Sequence, residues 1–301
     1  MADLIKVEPG SVGVEMPTET FRLTHQLADH PLFKLDRLAR LAASLPADQV
    51  EFNGPVQPNQ DPKLTPQNGL SAEETVRRIE ECQSWMVIKN CETDPEYKAL
   101  LDACLDQVAD QTKGVMGGAK KRQAFIFVTS PSNVVPLHMD PEYNFLMQIR
   151  GSKRMSLFNH KDEKIVSEEQ LELYPGKHRN LAYREEFEPT GTQQHLEPGE
   201  SIFVPLFDPH WVQNGPDVSV SFSITWHTDY SLRMVKLSYV NAGLRRLGIP
   251  QASVGVHPAL DTIKVAAYDV ARFGYNIVKR VLGGREKAVA LVFGKNAAAV
   301  S

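Results

Sequence analysis

Cysteine is scarce in this sequence, with only Cys82, Cys91 and Cys104 among 301 residues. The number is odd and no two of them form a Cys-x-x-Cys motif, so the sequence argues against a disulfide-stabilised scaffold. The N-terminal stretch also lacks the basic segment and apolar run of a secretory signal. Together these absences favour a reducing compartment, and we expect a cytoplasmic protein.

Two further features are missing. Lysine and arginine number 33 against 37 acidic residues, for a net charge of −4, so no global basic field exists to hold nucleic acid or an anionic membrane. No uninterrupted apolar run approaches the ~20 residues that cross a bilayer. We therefore expect no nucleic-acid partner and no membrane partner. Hydrophobic residues make up 42% and charged residues 23%, which is ordinary for a globular protein with a sizeable core.

The chain divides into three regions by pattern. Residues 1–115 form a mixed, helix-rich region expected to contribute strands to the core, with a turn-rich segment between its two predicted strands. Residues 116–232 contain short β runs separated by Pro and Gly turns, at 124–130, 144–150, 154–158, 201–206 and 218–226. Residues 233–301 return to helical spacing. Several short antiparallel strands of this kind predict a jelly roll or barrel flanked by helices.

The run VVPLHMDPEYNFLMQIRGSKRMSLF places His138 and Asp140 two residues apart. In an extended strand such residues point to the same side. A carboxylate and two imidazoles form a set that binds Fe(II) and leaves positions open. The second imidazole is predicted to be His210, which follows a strand, a proline and a short turn. The His-x-Asp pair alone is weak evidence, because such pairs occur by chance and are more often a surface hydrogen bond than a set of metal ligands.

Two other polar residues of the same run are candidates for binding a ligand. Lys153 lies in an apolar β run, where it can pair with the carboxylate of a co-substrate; the alternative is a lysine that extends from the sheet edge into solvent. Asn144 stands between Tyr143 and Phe145. A polar residue in that position is typical of a barrel interior that orients a ligand.

With these residues in place, the stretch resembles the Jumonji-C or cupin-like branch of the Fe(II)/2-oxoglutarate-dependent oxygenases. Its spacing is similar to that of the asparaginyl hydroxylase that acts on hypoxia-inducible factor. Pro205 and His210 also repeat the offset of the family's distal metal histidine. The match spans roughly Ala124 to Trp226, about a third of the chain. The positions that match are His138, Asp140, Asn144, Gln148, Gly151, Lys153, Arg154 and Phe158.

The resemblance implies a double-stranded β-helix (jelly roll, cupin) core, mainly β with a helical N-terminal region and C-terminal helices. It implies that His138, Asp140 and His210 bind Fe(II). Lys153 would pair with the distal carboxylate of 2-oxoglutarate, and Asn144 would lie near the metal and co-substrate. The implied activity is a dioxygenase that uses 2-oxoglutarate and O2 to hydroxylate a protein side chain or a small metabolite, with demethylation as a weaker expectation.

One departure concerns the co-substrate. In the asparaginyl hydroxylase a threonine that helps to bind 2-oxoglutarate lies three residues before the first metal histidine, and this chain has Val135 there. The hydroxyl must come from elsewhere, and the candidates are Ser223, Thr225 and Thr129. By strand parity, Ser223 and Thr225 also take the place of an asparagine and a tryptophan that face the family's site.

Two alternatives stay open. The first concerns function, because the chain could be a non-catalytic cupin-like protein that binds a metal or small ligand as a sensor.

The second alternative concerns a predicted C-terminal helix that ends at Gly283 and Gly284. Its apolar stripe is expected to be buried either on the barrel or N-terminal helices, or in a homodimer contact. The stripe consists of Ile263, Ala267, Val270, Phe273, Ile277 and Val281. The remaining histidines are interpreted as structural: His25, His30, His160, His178, His195, His227 and His257.

Overall fold

The structure is a computed structural model, and it describes residues 3–54, 67–176 and 180–282. The chain divides into two compact units, with the boundary in the sequence between Leu232 and Arg233. The predicted turn-rich segment falls largely in 55–66, outside the described residues, as do His178 and the predicted helix end at Gly283 and Gly284.

The first unit is built on two antiparallel sheets. Its strands are, in chain order, β1 (Ile5–Val7), β2 (Arg22–His25), β3 (Val50–Asn53), β4 (Trp85–Ile88), β5 (Lys120–Thr129), β6 (Val134–His138), β7 (Tyr143–Arg150), β8 (Lys153–Leu157), β9 (Thr192–Leu196), β10 (Glu200–Val204), β11 (His210–Asn214) and β12 (Ser219–His227). The larger sheet has the order β1-β2-β10-β7-β12-β5-β4-β3, and the smaller has the order β6-β11-β8-β9.

The connectivity is that of a double-stranded β-helix. From β5 to β12 the chain passes between the two sheets, and the pairs are β5 with β12, β6 with β11, β7 with β10 and β8 with β9. This nested pairing of eight strands defines the jelly roll. The predicted fold class, mainly β with flanking helices, is confirmed.

The alternation of β12 explains how the sheet is covered on both sides. Val220, Phe222 and Ile224 face away from the barrel interior, and the Phe222 ring packs 5.1 Å from that of Phe33 in the N-terminal region. Ser223 and Thr225 point inwards and line a cavity between the sheets. Both faces are buried, so the polar residues of this strand are interior residues rather than solvent-facing ones.

The helices of the first unit begin at recognisable caps. They are α1 (Leu35–Ser44), α2 (Ala72–Arg77), α3 (Pro95–Gln111) and α4 (Glu168–Leu173). The Ser71 side chain accepts from the backbone of Glu74, whose carboxylate accepts in return from the Ser71 backbone. This reciprocal pair of hydrogen bonds is a capping box. Asp94 caps α3, with Pro95 in the first turn.

Strands β1 and β2 were not predicted. They are three and four residues long, too short for alternation to be informative. Contacts from distant residues hold them in place: the Gln107 side chain of α3 accepts from the backbone of Ile5, at 3.2 Å, and β2 pairs with β10. Such long-range pairing leaves no local signal in the sequence.

The second unit consists of α5 (Asp229–Arg246), which begins just before the boundary, and α6 (Pro258–Leu282). Polar contacts join the two helices: Lys264 donates to the Asn241 side chain at 2.7 Å, and Lys236 pairs with Asp269 at 2.7 Å. Among the described residues, no helix has the length and apolar character that a membrane crossing requires.

The predicted stripe on α6 is largely exposed. Ile263, Val270, Phe273 and Ile277 are between 47% and 73% exposed. The opposite side of the helix carries the buried Lys264, which donates to the Asn241 side chain of α5. Burial of the stripe on the barrel or N-terminal helices and burial in a homodimer contact both stay predictions.

Candidate functional site

A cavity of about 370 Å³ lies between the two sheets of the first unit. This volume is within the ~300–1,000 Å³ range of small-molecule sites. Its walls include every residue for which a site role was predicted: His138, Asp140, Asn144, Lys153, His210, Ser223, Thr225 and Thr129. Residues far apart in the sequence thus face one cavity.

The three predicted metal ligands meet at one end of the cavity. His138 ends β6, His210 begins β11, and the two are paired directly across these strands. One side-chain ligand atom from each of His138, Asp140 and His210 lies within 4.8 Å of the others. The two imidazole centroids are 4.3 Å apart, and Asp140 Oδ2 is 3.7 Å from His210 Nε2. Two imidazoles and a carboxylate form a donor set that fits a divalent transition metal such as Fe(II).

Backbone carbonyls orient both imidazoles. His138 Nδ1 donates to the Pro136 carbonyl at 2.7 Å, and His210 Nδ1 donates to the Asp208 carbonyl at 2.9 Å. Because a carbonyl oxygen only accepts, each Nδ1 must carry the proton, which leaves the lone pair on Nε2. The Asp208 carboxylate is itself held by the His160 ring at 2.6 Å. Such outer contacts fix the tautomer in which a histidine can bind a metal.

The ionisable groups at this end influence one another. Burial and the neighbouring His210 lower the pKa of His138 to about 4, partly offset by the Asp140 carboxylate. His138 is therefore neutral near pH 7, as a metal ligand must be. Burial, with a smaller effect of Asp140, raises the pKa of Glu142 to about 8. Glu142 lines the same cavity and was not predicted, because it lies in the short segment between β6 and β7, where strand alternation does not apply.

Lys153 lies at the start of β8 and extends into the cavity, as predicted from strand parity. Lys153 is 5% exposed, and burial lowers the pKa of its side chain to about 7. Within the described part of the chain, Lys153 has no hydrogen-bond or ion-pair partner. Arg154, the next residue, faces away, and its guanidinium lies 5.0 Å above the Trp211 ring. A buried cation without a partner is costly and indicates a place for an anion.

The candidate hydroxyls differ in their contacts. Ser223 Oγ donates to Asn144 Oδ1 at 2.8 Å. Thr225 is paired with Asn144 across β12 and β7, and its hydroxyl is buried without a partner in the described residues. Thr129 is 3% exposed and likewise has no partner among them. Val135, where the family has threonine, also lines the cavity.

Strands β3 and β4 add a further wall that the sequence did not predict. Trp85, Lys89 and Glu51 line the cavity from this side. Lys89 Nζ and Glu51 Oε2 form an ion pair at 2.5 Å, and both side chains are about a third or more exposed. The predicted strands gave no indication of this wall, because nothing local shows that β4 pairs with β5.

Comparisons with known proteins place the chain near no characterised relative in sequence: no protein family matches it, and no curated protein does. Solved structures do align. The ribosomal oxygenase YcfD of Escherichia coli is 13% identical over 79% of this chain and 58% of its own, with a TM-score of 0.41. YcfD in complex with cobalt and 2-oxoglutarate is 16% identical over 63% and 46%, with a TM-score of 0.36.

A third aligned structure, the DMSP lyase DddQ of Ruegeria pomeroyi DSS-3, is 13% identical over 38% of this chain and 40% of its own, with a TM-score of 0.24. The chain spans about half the length of the YcfD structures. All these TM-scores are below 0.5, so the function of this chain has to be inferred from its own site.

Proposed function

We propose that this protein is an Fe(II)- and 2-oxoglutarate-dependent dioxygenase that hydroxylates a protein side chain or a small metabolite. The observation that carries the proposal is that a set of metal-binding side chains and a buried lysine face the same cavity. A His-Asp-His set lies at one end, with ligand atoms within 4.8 Å of one another, and the buried Lys153, which has no partner among the described residues, faces the same space. A metal site alone would need no buried cation, whereas a metal site that also binds a dicarboxylate needs one.

The roles follow from the contacts. His138 and His210 offer Nε2 lone pairs, Asp140 offers a carboxylate, and Lys153 balances the distal carboxylate of the co-substrate. Asn144 lies on β7 beside the metal end, held by its hydrogen bond with Ser223. When bound, Fe(II) and 2-oxoglutarate supply the oxygen-activating chemistry, with succinate and CO2 as products. The protein contributes orientation and an enclosed space that limits the access of water.

The second candidate is a non-catalytic cupin-like protein that senses a metal or small ligand. The fold is compatible with it, because a jelly roll hosts many functions. It gives no reason, however, for keeping both the complete His-Asp-His set and a buried lysine that opposes no acidic partner in the described residues.

Two measurements test the proposal. Calorimetry with Mn(II) and 2-oxoglutarate under anaerobic conditions should show metal-dependent binding of the co-substrate. Incubation with Fe(II), O2 and trial substrates should then release succinate, and a His210→Ala variant should release none. Binding of 2-oxoglutarate without any succinate release across protein and metabolite substrates would favour the sensor. No binding of 2-oxoglutarate at all would exclude the dioxygenase.

Three wider assignments belong with this proposal. We infer a cytoplasmic location, supported by the free state of Cys82, Cys91 and Cys104. We expect neither nucleic acid nor membrane as a partner, because the net charge is −4. We also propose a homodimer formed through the exposed stripe of α6, since a second copy would cover it.

The dimer has its own test. A double substitution, Val270→Glu with Phe273→Glu, should halve the mass measured by analytical ultracentrifugation, because it places charge in the contact. Deleting the residues after Pro258 should give insoluble protein or protein of altered mass. A soluble, fully active monomer after that deletion would show the helix to be dispensable.

A further inference from the structure

The β8–β9 connection, residues 158–176 and 180–191 of the described chain, joins two strands that are neighbours in the smaller sheet. Antiparallel neighbours are usually joined by hairpin loops of about two to five residues. This connection is far longer and contains α4. A long connection inside a compact domain often has a function of its own. Its contacts indicate which part of the molecule it serves.

The connection forms hydrogen bonds on both sides of His138. On one side, the backbone N–H of Leu181 donates to the Leu137 carbonyl at 2.7 Å. On the other side, the backbone N–H of Met139 donates to the Tyr174 hydroxyl at 3.0 Å. Met139 lies between two of the three ligands in the sequence, so the orientation of its backbone sets the direction of both side chains. Tyr174 is itself buried and directly follows α4, which holds its ring in place.

The same connection holds the turn that leads to His210. The backbone N–H of Phe158 donates to the Pro209 carbonyl at 2.8 Å. Asp208 Oδ1 accepts from His160 Nδ1 at 2.6 Å and from the His160 backbone at 3.2 Å. The carbonyl of Asp208 in turn accepts from the His210 ring. The His160 side chain therefore fixes the residue that orients a metal ligand.

Phe207 shows that this turn needs external support. Its φ is +64°, in the left-handed region that residues other than glycine rarely adopt. Its backbone N–H donates to the carbonyl of the ligand Asp140 at 2.9 Å. A strained backbone persists only where the surrounding contacts over-determine it. The hydrogen bonds from Phe158 and His160 are contacts of this kind.

We propose that the β8–β9 connection sets the spacing and direction of the metal ligands, and that Tyr174 and His160 are its positioning residues. The inference rests on the proposed function, but only on its metal site. Neither residue belongs to the ligand set itself. Outer contacts of this type are worth ~10–100-fold in metal affinity. Four residues within two positions of a histidine ligand hydrogen-bond to the connection, and they are Leu137, Met139, Asp208 and Pro209.

The first test removes the Tyr174 hydroxyl and keeps the ring. In calorimetry with metal-free protein, Mn(II) should bind about tenfold more weakly to Tyr174→Phe, because the Met139 amide loses its acceptor. The matched control is Tyr97→Phe, since Tyr97 is also buried and its hydroxyl bonds to a backbone carbonyl, that of Leu32, outside the cavity wall. Urea unfolding should show a loss of stability in both variants, whereas Mn(II) affinity should fall in Tyr174→Phe alone.

The second test uses His160. His160→Ala should also weaken Mn(II) binding about tenfold, and His160→Asn should restore most of it, because the asparagine amide can donate to Asp208 from nearly the position of Nδ1. His195→Ala, at an exposed position on β9, is the control. At saturating Co(II), the visible absorption of His160→Ala should differ from that of the wild type, because the bands follow ligand geometry. A loss of stability alone would leave the spectrum of the bound metal unchanged.

The outcomes separate this inference from the proposed function. If the wild type binds Mn(II) and one of the two variants binds it equally well, that residue has no positioning role, while the dioxygenase proposal stands. If Tyr97→Phe loses as much Mn(II) affinity as Tyr174→Phe, the effect is a general loss of stability and the inference is wrong. If the wild type binds no Mn(II), the metal site of the proposed function fails, and this inference fails with it.

Discussion

The two ends of the cavity are built in different ways. At the metal end, His138 is the last residue of β6, Asp140 follows two residues later, and His210 faces them from the neighbouring strand. At the other end, Lys153 and Trp85 come from strands in different sheets. The first end is mostly a local arrangement, whereas the second exists only when the two sheets have assembled.

The two ends also differ in how far they are satisfied without a ligand. Each metal-end imidazole already has its Nδ1 bonded to a carbonyl, at 2.7 and 2.9 Å. Lys153 has no such partner in the described residues, and burial disfavours its charge. The metal end is therefore organised in advance, while the lysine end carries an energetic cost that a bound anion would remove. The predictions below test this contrast.

The largest effect is expected at the metal end. Replacing Asp140 or His210 with alanine removes one of three ligands and should weaken Mn(II) binding by more than ~100-fold, since even outer contacts to metal ligands are worth ~10–100-fold. Calorimetry or electron paramagnetic resonance titration measures this. His195→Ala is the control, because His195 is exposed on β9. Retained Mn(II) affinity in both alanine variants would refute the metal site.

At the lysine end the expected effect is smaller and of a different kind. Lys153→Met keeps the aliphatic stem and removes the charge. It should leave Mn(II) affinity unchanged and weaken 2-oxoglutarate binding by one to two orders of magnitude, corresponding to the ~1.5–3 kcal/mol of a charge-assisted hydrogen bond. Calorimetry with Mn(II) present measures both. Unchanged co-substrate affinity would mean that another cation holds the carboxylate, and Arg122 or Arg184 would be examined next.

Lys153 should also make the stability of the ligand-free protein depend on pH. Burial lowers its pKa from 10.5 to about 7, so between these values the unfolded chain binds more protons than the folded one. Stability then rises with pH across this window, by up to ~1.4 kcal/mol per unit, and the cost of burying the lysine is fully present below pH 7.

Urea unfolding at pH 7 and pH 9 tests this sign. The stability difference, wild type minus Lys153→Met, should increase by about 2 kcal/mol between the two values, because the variant lacks the titration. The subtraction removes the contribution of other groups. A difference that stays constant with pH would show that Lys153 is not a buried cation in the ligand-free protein.

The sequence predicted the two ends unequally, for a physical reason. His138, Asp140 and His210 follow from strand parity and a motif, and the inward direction of Lys153 follows from its parity against Arg154. The alternation of side chains along one strand does not indicate which strands lie side by side in a sheet. Trp85 therefore went unnoticed, and Thr129 was only one of three open candidates, because their pairing joins residues more than 40 positions apart.

The fold shows the same limit. The strands of the jelly roll carry alternating or apolar runs that predict them, while β1 and β2 are too short to do so and depend on pairing with distant residues. On α6 the apolar stripe was predicted as one face of a helix, and the structure has that helix. Nothing local indicated that Lys264, on the other face, is buried and donates to Asn241 of α5.

The smallest effect is expected from restoring the family's threonine. Val135 lines the cavity, and Val135→Thr adds a hydroxyl of nearly the same shape. If the hydroxyl of Thr129 already donates to the distal carboxylate beside Lys153, the new hydroxyl finds fewer free lone pairs. 2-Oxoglutarate affinity, measured by calorimetry with Mn(II), should then improve by no more than about threefold, below ~1 kcal/mol. In a Thr129→Val background the same substitution should recover more, because a lone pair is then free. A tenfold gain in the wild-type background would place the carboxylate against β6 instead. The co-substrate would then contact β6 at both the metal end and the lysine end, and β5 would have no part in binding it.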